Sequence, residues 1–476
     1  MSIGKTNVTA ALQKAERLLR HDKSSSPQMR AMVDLLITIV KLLLAKLGLN
    51  STNSSVPPSQ DPHRERGSKR KAKGERRKPG GQNGHEGTTL RADPNPDKIK
   101  IIEVDRRTIP PGRYRGAGFE FRQVIDIEIR KQVTEYRAEI LEDDKGNQFV
   151  AQFPAGVTRP VQYGNGVKAQ SVYLSQQQLI PYQRICDYFS DQCGIPLSAG
   201  SVFNFNQEAF GLLERFEVIA IQQLRVELVL HADETGINVN ARGLWLHSVS
   251  NDRWTLFFAH ARRGAEAMIA MGVLEHFGGT LCHDHWKAYF QFSCQHALCN
   301  AHHLRELKRA CQDDGQRWAQ KMHALLLEIN DATTTAGGCL GKKDADRFRR
   351  RYRSILIYGE RECPLPDPKD YAEKPGRMAR TKSRNLLKRL HEYETETLRF
   401  MTDKLVPFTN NQGENDIRMT KVQQKISGCF RSFQGAQIFC RVRSYLSTCR
   451  KHGLAPTEAL QTLFSGNLPD FIPKLQ

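Results

Sequence analysis

One stretch of the chain, residues 224–293, constrains the fold more than any other. Apolar runs rich in leucine and β-branched residues predict three short strands, at 226–232, 244–249 and 254–259. An amphipathic pattern then predicts a helix over 264–277, and another apolar run predicts a strand over 279–283. Three strands, a helix and a fourth strand indicate a mixed α/β core in the middle of the chain. That order is found in ribonuclease H-like cores and in several other α/β folds.

Three carboxylates stand where this core could use them. Asp233 follows the first predicted strand and Asp284 follows the fourth, and strand ends can converge in a cleft. A third acid, Glu414, begins a predicted helix. Carboxylates hold hard divalent ions such as Mg²⁺, and two such ions can promote chemistry at a phosphodiester. Spacing does not select these three among the 51 acids, and the neighbours Glu234 and Asp416 remain alternatives.

The charge balance favours a polyanionic partner. Lysine and arginine total 71 against 51 acids, which gives a net charge of +20 and suits nucleic acid. Residues 61–80 alone carry nine basic residues against three acids, after a turn-rich segment at 53–59. We predict a flexible basic linker over 51–97, whose Arg76, Arg77 and Lys78 contact DNA phosphates without reading sequence. A solvated linker with no partner is the alternative.

Residues 156–223 predict a helical region that resembles a helix-turn-helix. One helix is expected over 182–192, and a second begins after Ser198 as N-cap and runs through Phe210. A glycine-containing break at 193–198 separates them. Many helical hairpins share this outline. If the region reads DNA, the candidate base or phosphate contacts are Ser201, Asn204, Asn206 and Gln207.

The outer segments carry weaker patterns. Residues 1–50 are predicted to be helical, with a heptad seam of Met29, Val33, Leu36, Val40, Leu43 and Leu47. This seam indicates either self-association or packing on the same chain. Residues 98–155 predict a small β module, because these apolar residues alternate with polar ones: Ile99, Ile101, Phe119, Phe121, Ile125, Ile127 and Ile129. Helices are expected over about 300–405 and in a C-terminal extension over 426–476.

Cysteine usage and hydropathy bear on the compartment. The eleven cysteines are scattered, which disfavours a disulfide scaffold and favours a reducing cytosol. Residues 1–23 lack a signal-peptide pattern, and the apolar run at 35–49 is short and interrupted by lysines. We therefore expect a soluble cytoplasmic protein with no membrane partner. One cluster looks metal-like: Cys294, His296, Cys299, His302 and His303. Zinc is not expected there, because the spacing of Cys299 and His302 requires two further ligands.

Three sequence blocks carry a resemblance to a known family. They are HADET at 231–235, HDHWKAY at 283–289 and TNNQGENDIR at 409–418. They resemble the three catalytic blocks of bacterial transposases of the insertion sequence 66 family. Further similar segments are NSTNSSVPP at 50–58, RKPGGQNGH at 77–85, CNAH at 299–302 and ISGCFRS at 426–432. The resemblance covers nearly the whole chain in the family's order, and the blocks are specific as a set.

The resemblance implies a multidomain α+β DDE transposase with a ribonuclease H-like core over 224–425 and a helical insertion in it. Asp233, Asp284 and Glu414 fall on the family's acidic triad, which would bind two Mg²⁺ or Mn²⁺ ions. Hydrolysis at the element's end would give a 3′-OH, which then attacks target DNA by transesterification. The implied partners are double-stranded DNA, further copies of the chain in a synaptic complex, and accessory proteins of the same element. A bacterial, nucleoid-associated location follows.

Three cations near the triad are candidate DNA contacts. Arg418 and Lys421 lie four and seven residues after Glu414, on the same face of a helix. Related DDE enzymes often carry a basic residue at the position that Lys421 occupies. A solvated basic face is the alternative. Lys287, three residues after Asp284, is the third candidate.

One departure from the family pattern leaves other functions open. Many relatives carry a Cys-x-x-Cys zinc module between linker and core, and residues 97–153 contain no cysteine here. Zinc is therefore not expected in that segment. A non-catalytic, sequence-specific DNA-binding protein, either a regulator or a decayed transposase, is the main alternative function. A ribonuclease H-type nuclease without strand transfer is the other.

Overall fold

A computed structural model describes residues 26–47, 90–365 and 381–473, with short pieces at 2–3, 6–7, 12, 14–15 and 17–18. The predicted basic linker, including Arg76, Arg77 and Lys78, lies outside these residues. Within them the chain forms 14 α-helices and a mixed five-stranded sheet, as expected for a multidomain α+β protein. No helix of the described segments is long and apolar enough to cross a membrane.

The elements before the central sheet are short strands and helices. They are β1 (Ser2–Ile3), β2 (Thr6–Asn7), α1 (Pro27–Leu47), β3 (Ile140–Glu142), β4 (Gln148–Val150), α2 (Asn165–Val172), α3 (Tyr182–Cys193), α4 (Ala199–Leu212) and α5 (Glu214–Arg225). Along α1 the seam residues Met29, Leu36 and Leu43 are exposed.

The sheet and the helices after it complete the described fold. They are β5 (Val229–Val239), β6 (Arg242–Ser250), β7 (Thr255–His260), α6 (Ala265–Ala270), β8 (Thr280–His283), β9 (Gln295–Leu298), α7 (Asn300–Gln312), α8 (Arg317–Thr335), α9 (Lys342–Glu362), α10 (Lys382–Glu392), α11 (Glu394–Leu398), α12 (Asn411–Ser427), α13 (Phe433–Lys451) and α14 (Pro456–Phe464). Five of these helices, α7 to α11, lie in sequence between the last strand and α12, where a helical insertion was expected.

The sheet order is β7-β6-β5-β8-β9. β5, β6 and β7 form an antiparallel meander, whereas β8 and β9 run parallel to β5. The four predicted strands are confirmed, and β9 is a fifth that the sequence patterns did not indicate. The predicted helix over 264–277 is confirmed only in part, because Gly272 (φ 75°) ends α6 and a short 3₁₀ turn, Leu274–His276, follows.

β5 is longer than predicted, and this changes the place of Asp233. The strand continues seven residues beyond Ala232 because its antiparallel pairing with β6 persists to Val239. Ile237 and Val239 are buried in a core cluster with Phe439, a residue of α13, which stabilises the extension. Asp233 therefore lies within a strand, and the expectation that it follows a strand end is wrong.

The sheet is packed on both faces. Successive residues of a strand point to opposite faces, and in β8 Leu281 and Cys282 belong to different core clusters. Leu281 packs in the cluster that includes Phe216 of α5. Cys282 packs in the cluster built by α7 to α10 around Trp318. β8 is thereby held between two hydrophobic cores, and the loop after it packs Ala288, Tyr289 and Phe292 into the first of them.

One edge of the sheet is formed by β7, and α13 covers it. Ser444 and Thr448 lie four residues apart on this helix, and their hydroxyl oxygens accept hydrogen bonds from the backbone amides of Phe257 (2.8 Å) and Thr255 (3.1 Å). Unpaired edge groups of β7 are thus satisfied by side chains rather than by another strand. The predicted C-terminal helices therefore complete the core.

The small β module predicted over 98–155 is reduced to one hairpin. Residues 98–139, all of which the structure describes, contain no strand, and β3 and β4 pair over only three residues each. The alternating apolar residues from Ile99 to Ile129 are between 41% and 80% exposed. An alternating pattern forms a stable sheet only when a second layer buries its apolar face, and these side chains remain exposed. The predicted strands there are wrong.

The two helices of the predicted helix-turn-helix-like region are confirmed. Gly194 ends α3 in the left-handed conformation (φ 59°), where glycine has no steric penalty. The Ser198 side chain caps α4 by accepting a hydrogen bond from the Ser201 amide at 3.0 Å. Asn204 and Gln207 are exposed on α4.

The prediction that Asn206 contacts DNA is wrong. Asn206 is fully buried, and its side-chain oxygen accepts hydrogen bonds from Ser175 (3.0 Å) and Gln176 (2.8 Å). A buried polar group needs partners inside the protein, and Asn206 has them. It fixes α4 to the segment after α2 and is not available to DNA.

Gly279 gives a stability prediction for the strand that leads to Asp284. A Cβ at Gly279 would lie 2.5 Å from the Leu228 carbonyl oxygen and 2.7 Å from that of Glu227, whereas Gly278 has open space. We expect Gly279→Ala to lower the free energy of unfolding by about 1–3 kcal/mol. Gly278→Ala should stay within about 0.5 kcal/mol. Urea unfolding of the two variants checks this, and equal midpoints would contradict it.

Candidate active site

The register of the sheet brings Asp233 and Asp284 together. β5 and β8 pair in parallel with His231 opposite Cys282. Continuing that offset by two residues sets Asp233 beside Asp284, and equivalent residues of parallel neighbours point to the same face. Glu414 lies in the first turn of α12, which packs against β5. The three predicted acids thus come from a strand, a strand end and a helix start.

The charges of Asp284 and Glu414 act on Asp233. Burial raises the pKa of Asp233 to about 8, and the negative charges of Glu234, Asp284 and Glu414 add to the rise. Burial also raises the pKa of Asp284, against the opposing effects of the Trp286 amide and Arg263. Like charges in a partly desolvated site disfavour ionisation. Such a site is suited to a cation that would relieve this repulsion.

The neighbouring acids that the sequence left as alternatives are already paired. The Glu234 side chain is 2% exposed; its carboxylate accepts hydrogen bonds from Nη2 of Arg263 at 2.6 Å and from the Tyr289 hydroxyl at 2.5 Å. Asp416 accepts a hydrogen bond from Nζ of Lys451 at 2.8 Å. Both carboxylates are therefore paired with a basic side chain, whereas Oδ1 of Asp233 accepts a hydrogen bond from the Glu234 backbone amide at 2.9 Å.

Arg263 sits between two tryptophan rings. Its guanidinium carbon lies 4.8 Å from the ring centre of Trp245 and 4.4 Å from that of Trp286. Cation–π contacts of this kind favour the charged guanidinium and fix its plane. Arg263 thus holds Glu234 rigidly and also lowers the pKa of Asp284 by its charge. Sequence patterns gave no signal for Arg263, because the contact joins residues 29 positions apart.

Asn410 links β5 and Cys299 to the start of α12, and it was not predicted. It is 2% exposed, and its side-chain amide donates to the Ala232 carbonyl at 2.8 Å. Its side-chain oxygen accepts from Nδ1 of His231 at 2.7 Å, and its backbone amide donates to the Cys299 sulfur at 3.2 Å. Asn410 therefore ties the backbone beside Asp233 to the start of the helix that carries Glu414. The sequence signal for Asn410 was its position immediately before the helix, where asparagine is a preferred residue.

The two histidines that flank Asp284 pack as neutral rings. Nε2 of His283 lies 3.0 Å from Nδ1 of His296, and burial lowers the pKa of His283 to about 3. The ring centre of His285 lies 4.5 Å from that of Tyr393, and burial lowers the pKa of His285 to about 4. Both rings therefore support the Asp284 loop through packing and do not carry charge at neutral pH.

The predicted DNA-contacting cations lie on the surface around the acids. Arg418 and Lys421 are exposed on α12, and Lys287 is exposed just after Asp284. Nζ of Lys421 also donates to the Gly236 carbonyl of β5 at 2.8 Å, and partial burial lowers its pKa. Lys421 therefore helps to hold α12 against β5, and its other N–H groups remain available for a ligand.

Part of the metal-like cluster meets Glu414. Oε1 of Glu414 lies 3.9 Å from Sγ of Cys299 and 3.8 Å from Nδ1 of His302. One ligand atom from each of these three residues lies within 4.8 Å of the others. The rest of the cluster is used elsewhere: His296 contacts His283, His303 contacts Asn300, and Cys294 is buried in the core.

The raised pKa of Asp233 predicts a pH dependence of stability without metal. A carboxyl whose pKa rises from 3.8 to about 8 on folding keeps its proton in the folded state after the unfolded chain has lost it. Its contribution to stability therefore falls as the pH rises from about 4 to about 8. Asp233→Asn removes this titration. In chelator, the variant should gain stability relative to the unmodified chain as the pH rises through this range. Denaturant unfolding at several pH values checks this; a constant difference would contradict it.

Two family models match the chain. One, described as the transposase IS66 family, matches residues 160–438, more than half of the 476 residues. That stretch contains Asp233, Asp284 and Glu414. The other, described as a family of unknown function (DUF6444), matches residues 9–91. No curated protein gives a match.

Proposed function

Since this chain belongs to the transposase IS66 family, we propose that it is a DDE-type transposase of a bacterial insertion sequence. It would cleave phosphodiester bonds at the element's ends and join the ends to target DNA. Two observations support the proposal: the register of β5 and β8 brings Asp233 towards Asp284, and the charges of Asp284 and Glu414 raise the pKa of Asp233.

The topology supports a ribonuclease H-like core. The first three strands of the sheet form a meander, and the next two lie parallel to the first on its other side. An acid on the first strand, an acid after the fourth and an acid on a later helix is the arrangement that the resemblance implies for this core. The helices α7 to α11 would be its insertion.

The donor set fits Mg²⁺ or Mn²⁺. Hard divalent ions prefer carboxylate oxygens and retain water and substrate oxygens as further ligands. Asp233, Asp284 and Glu414 offer such oxygens. Burial and nearby acids raise the pKa of Asp233, and a bound cation would stabilise its ionised form. These three residues would hold two ions. When bound, the ions supply Lewis-acid stabilisation of charge at the scissile phosphodiester.

The chain's own residues would hold the DNA and the acids in place. Arg418, Lys421 and Lys287 would contact the phosphate backbone close to the acids, because the three are exposed beside them. Arg263 would keep Glu234 paired, so that its carboxylate does not replace a triad member. Asn410 would hold the start of α12, which carries Glu414, next to the part of β5 that carries Asp233.

The chemistry would take place in two balanced steps. Water attacks the phosphorus at the element's end, the bond to the 3′ oxygen breaks, and that oxygen takes a proton to become a 3′-OH. The 3′-OH then attacks a phosphorus of the target, forms a new ester and releases a target 3′-OH. The second step exchanges one phosphodiester for another and needs no nucleotide energy source.

The remaining segments would serve binding and assembly. Ser201, Asn204 and Gln207 of α4 would contact bases or phosphates, and Arg76, Arg77 and Lys78 would contact phosphates of the same DNA. Two element ends must be held together for joining, so we propose a homo-oligomer. The exposed Met29, Leu36 and Leu43 of α1 would suit a helix–helix contact between copies. We also propose that accessory proteins of the same element take part and that the protein acts at the bacterial nucleoid.

A joining assay tests the proposal. The full chain is mixed with labelled element-end DNA and a plasmid target in Mg²⁺ or in chelator, with the element's other proteins added in a parallel reaction. We expect joined product only with the metal. Specific end binding without cleavage in every reaction would favour the non-catalytic DNA-binding protein. Cleavage without joining would favour a nuclease. Either result would overturn the proposal.

A further inference from the structure

Cys299, His302 and Glu414 form a cluster whose atoms are chemically unlike the triad. Cys299 immediately precedes α7, His302 lies in its first turn, and Glu414 lies in the first turn of α12. The two helix starts face each other. Oε1 of Glu414 lies 3.8 Å from Nδ1 of His302 and 3.9 Å from Sγ of Cys299. A thiol, an imidazole and a carboxylate thus converge where sequence spacing provided only two ligands.

The dimensions suit a tetrahedral ion. Zinc bonds of about 2.0 to 2.3 Å place neighbouring ligand atoms about 3.3 to 3.6 Å apart. The two separations from Oε1 of Glu414 are a few tenths of an ångström longer. One ligand atom from each of the three residues lies within 4.8 Å of the others, so side-chain rotations can bring all three atoms to one ion. Nδ1 of His302 is buried and has no hydrogen-bond partner, which leaves its lone pair free for a metal.

A hydrogen bond orients the Cys299 sulfur, and the cluster is open to solvent on one side. The Asn410 backbone amide donates to the Cys299 sulfur at 3.2 Å, a contact that orients a ligand and stabilises its charged form. Cys299 is buried, whereas the side chains of His302 and Glu414 are 26% and 32% exposed. An ion could enter from their side, and a water or substrate oxygen could fill the fourth position.

We propose that Cys299, His302 and Glu414 form a binding site for Zn²⁺ or a similar borderline-soft ion, distinct from the all-carboxylate site and sharing Glu414 with it. Thiolate and imidazole ligands favour zinc over Mg²⁺, which keeps oxygen ligands. The carboxylate oxygen that zinc takes is no longer available to the ions of the triad, so zinc binding competes with the triad for Glu414. The site would make the enzyme sensitive to inhibition by zinc. This last consequence rests on the proposed transposase function, whereas the binding does not.

Cobalt spectroscopy of the metal-free full chain tests the binding. Tetrahedral Co²⁺ bound to a thiolate gives intense visible bands and a sulfur-to-metal charge-transfer band, and Zn²⁺ should displace it. We expect Cys299→Ser to remove the charge-transfer band and to weaken zinc binding at least about 10–100-fold, the size found for outer-shell changes. Cys339→Ser, which alters an exposed cysteine, should leave both unchanged. Identical spectra for the unmodified chain and Cys299→Ser would overturn the site.

Two further variants separate this proposal from the proposed function. Glu414→Gln should weaken Co²⁺ binding, whereas Asp284→Asn should leave it unchanged, because Asp284 belongs only to the carboxylate site. In the joining assay at fixed Mg²⁺, zinc should inhibit Cys299→Ser at least about tenfold less effectively than the unmodified chain, each relative to its own zinc-free activity. If Asp284→Asn loses as much cobalt binding as Glu414→Gln, the proposal of two distinct sites is overturned, whatever the joining assay shows.

Discussion

Asp284→Asn is expected to reduce metal-dependent cleavage and joining at the element's ends by about a thousandfold or more. The substitution keeps the size of the side chain and removes one anionic ligand from a site whose metal supplies several kcal/mol of charge stabilisation. Each 1.36 kcal/mol of barrier corresponds to a tenfold change in rate. Asp233→Asn and Glu414→Gln should have effects of similar size, because the acids act as one unit. Single-turnover cleavage of labelled end DNA measures this.

A folded, DNA-binding variant is needed to interpret that result. Removing a carboxylate from a site where burial raises the pKa of Asp284 should not weaken the fold. Binding of end DNA in chelator should therefore persist. Asp252→Asn, which changes an exposed aspartate between β6 and β7, is the matched control and should cleave normally. Unreduced joining by Asp284→Asn would contradict its assignment as a catalytic ligand.

Asn410→Ala is expected to lower cleavage at least about tenfold to a hundredfold and the free energy of unfolding by about 2–4 kcal/mol. The change removes hydrogen bonds to Ala232 and His231 and leaves those buried groups without partners. It also leaves a small cavity at a 2%-exposed position. Since Asn410 touches none of the reacting atoms, it is a positioning residue. The effect on activity arises from misplacement of Glu414 relative to Asp233.

The neighbour Asn411 provides the control. It is exposed at the start of α12, and Asn411→Ala should change stability by less than about 0.5 kcal/mol. A purely structural role for Asn410 would lower activity only in proportion to the unfolded fraction. A positioning role predicts a weaker apparent affinity for Mg²⁺ as well, measured as the metal concentration for half-maximal cleavage. An unchanged metal requirement in folded Asn410→Ala would contradict the positioning role.

Local patterns were sufficient to predict the first four strands of the core, β5 to β8, and the α3–α4 pair. Each of these elements carries its own signal, such as the Ser198 cap or an apolar run of strand length. β9 was missed because it begins with two polar residues, Gln295 and His296, and His296 suggested a ligand cluster. The strands predicted over 98–139 failed for the opposite reason. Their alternation is clear, but burial depends on a second layer that local sequence does not specify.

The choice among acids depended on tertiary contacts. Asp233 and Glu234 are adjacent in sequence, and only the structure shows that Arg263 and Tyr289 hold Glu234. Asp416 is likewise held by Lys451, 35 residues further along the chain. Partners this distant are fixed by sheet register and helix packing, which no local pattern encodes. The sequence blocks locate the candidate acids along the chain, and the ion pairs of Glu234 and Asp416 distinguish those two residues from Asp233 and Glu414.

Binding of Mn²⁺ tests the central claim most directly, because the free ion's electron paramagnetic resonance signal disappears when it binds. The claim is that Asp233, Asp284 and Glu414 together hold divalent metal. For the full chain with element-end DNA, we predict that Asp233→Asn and Asp284→Asn each weaken Mn²⁺ binding at least about tenfold. Cys299→Ser should leave it unchanged, since sulfur is a poor ligand for this ion. Equal Mn²⁺ affinity in the unmodified chain and both aspartate variants would contradict the claim.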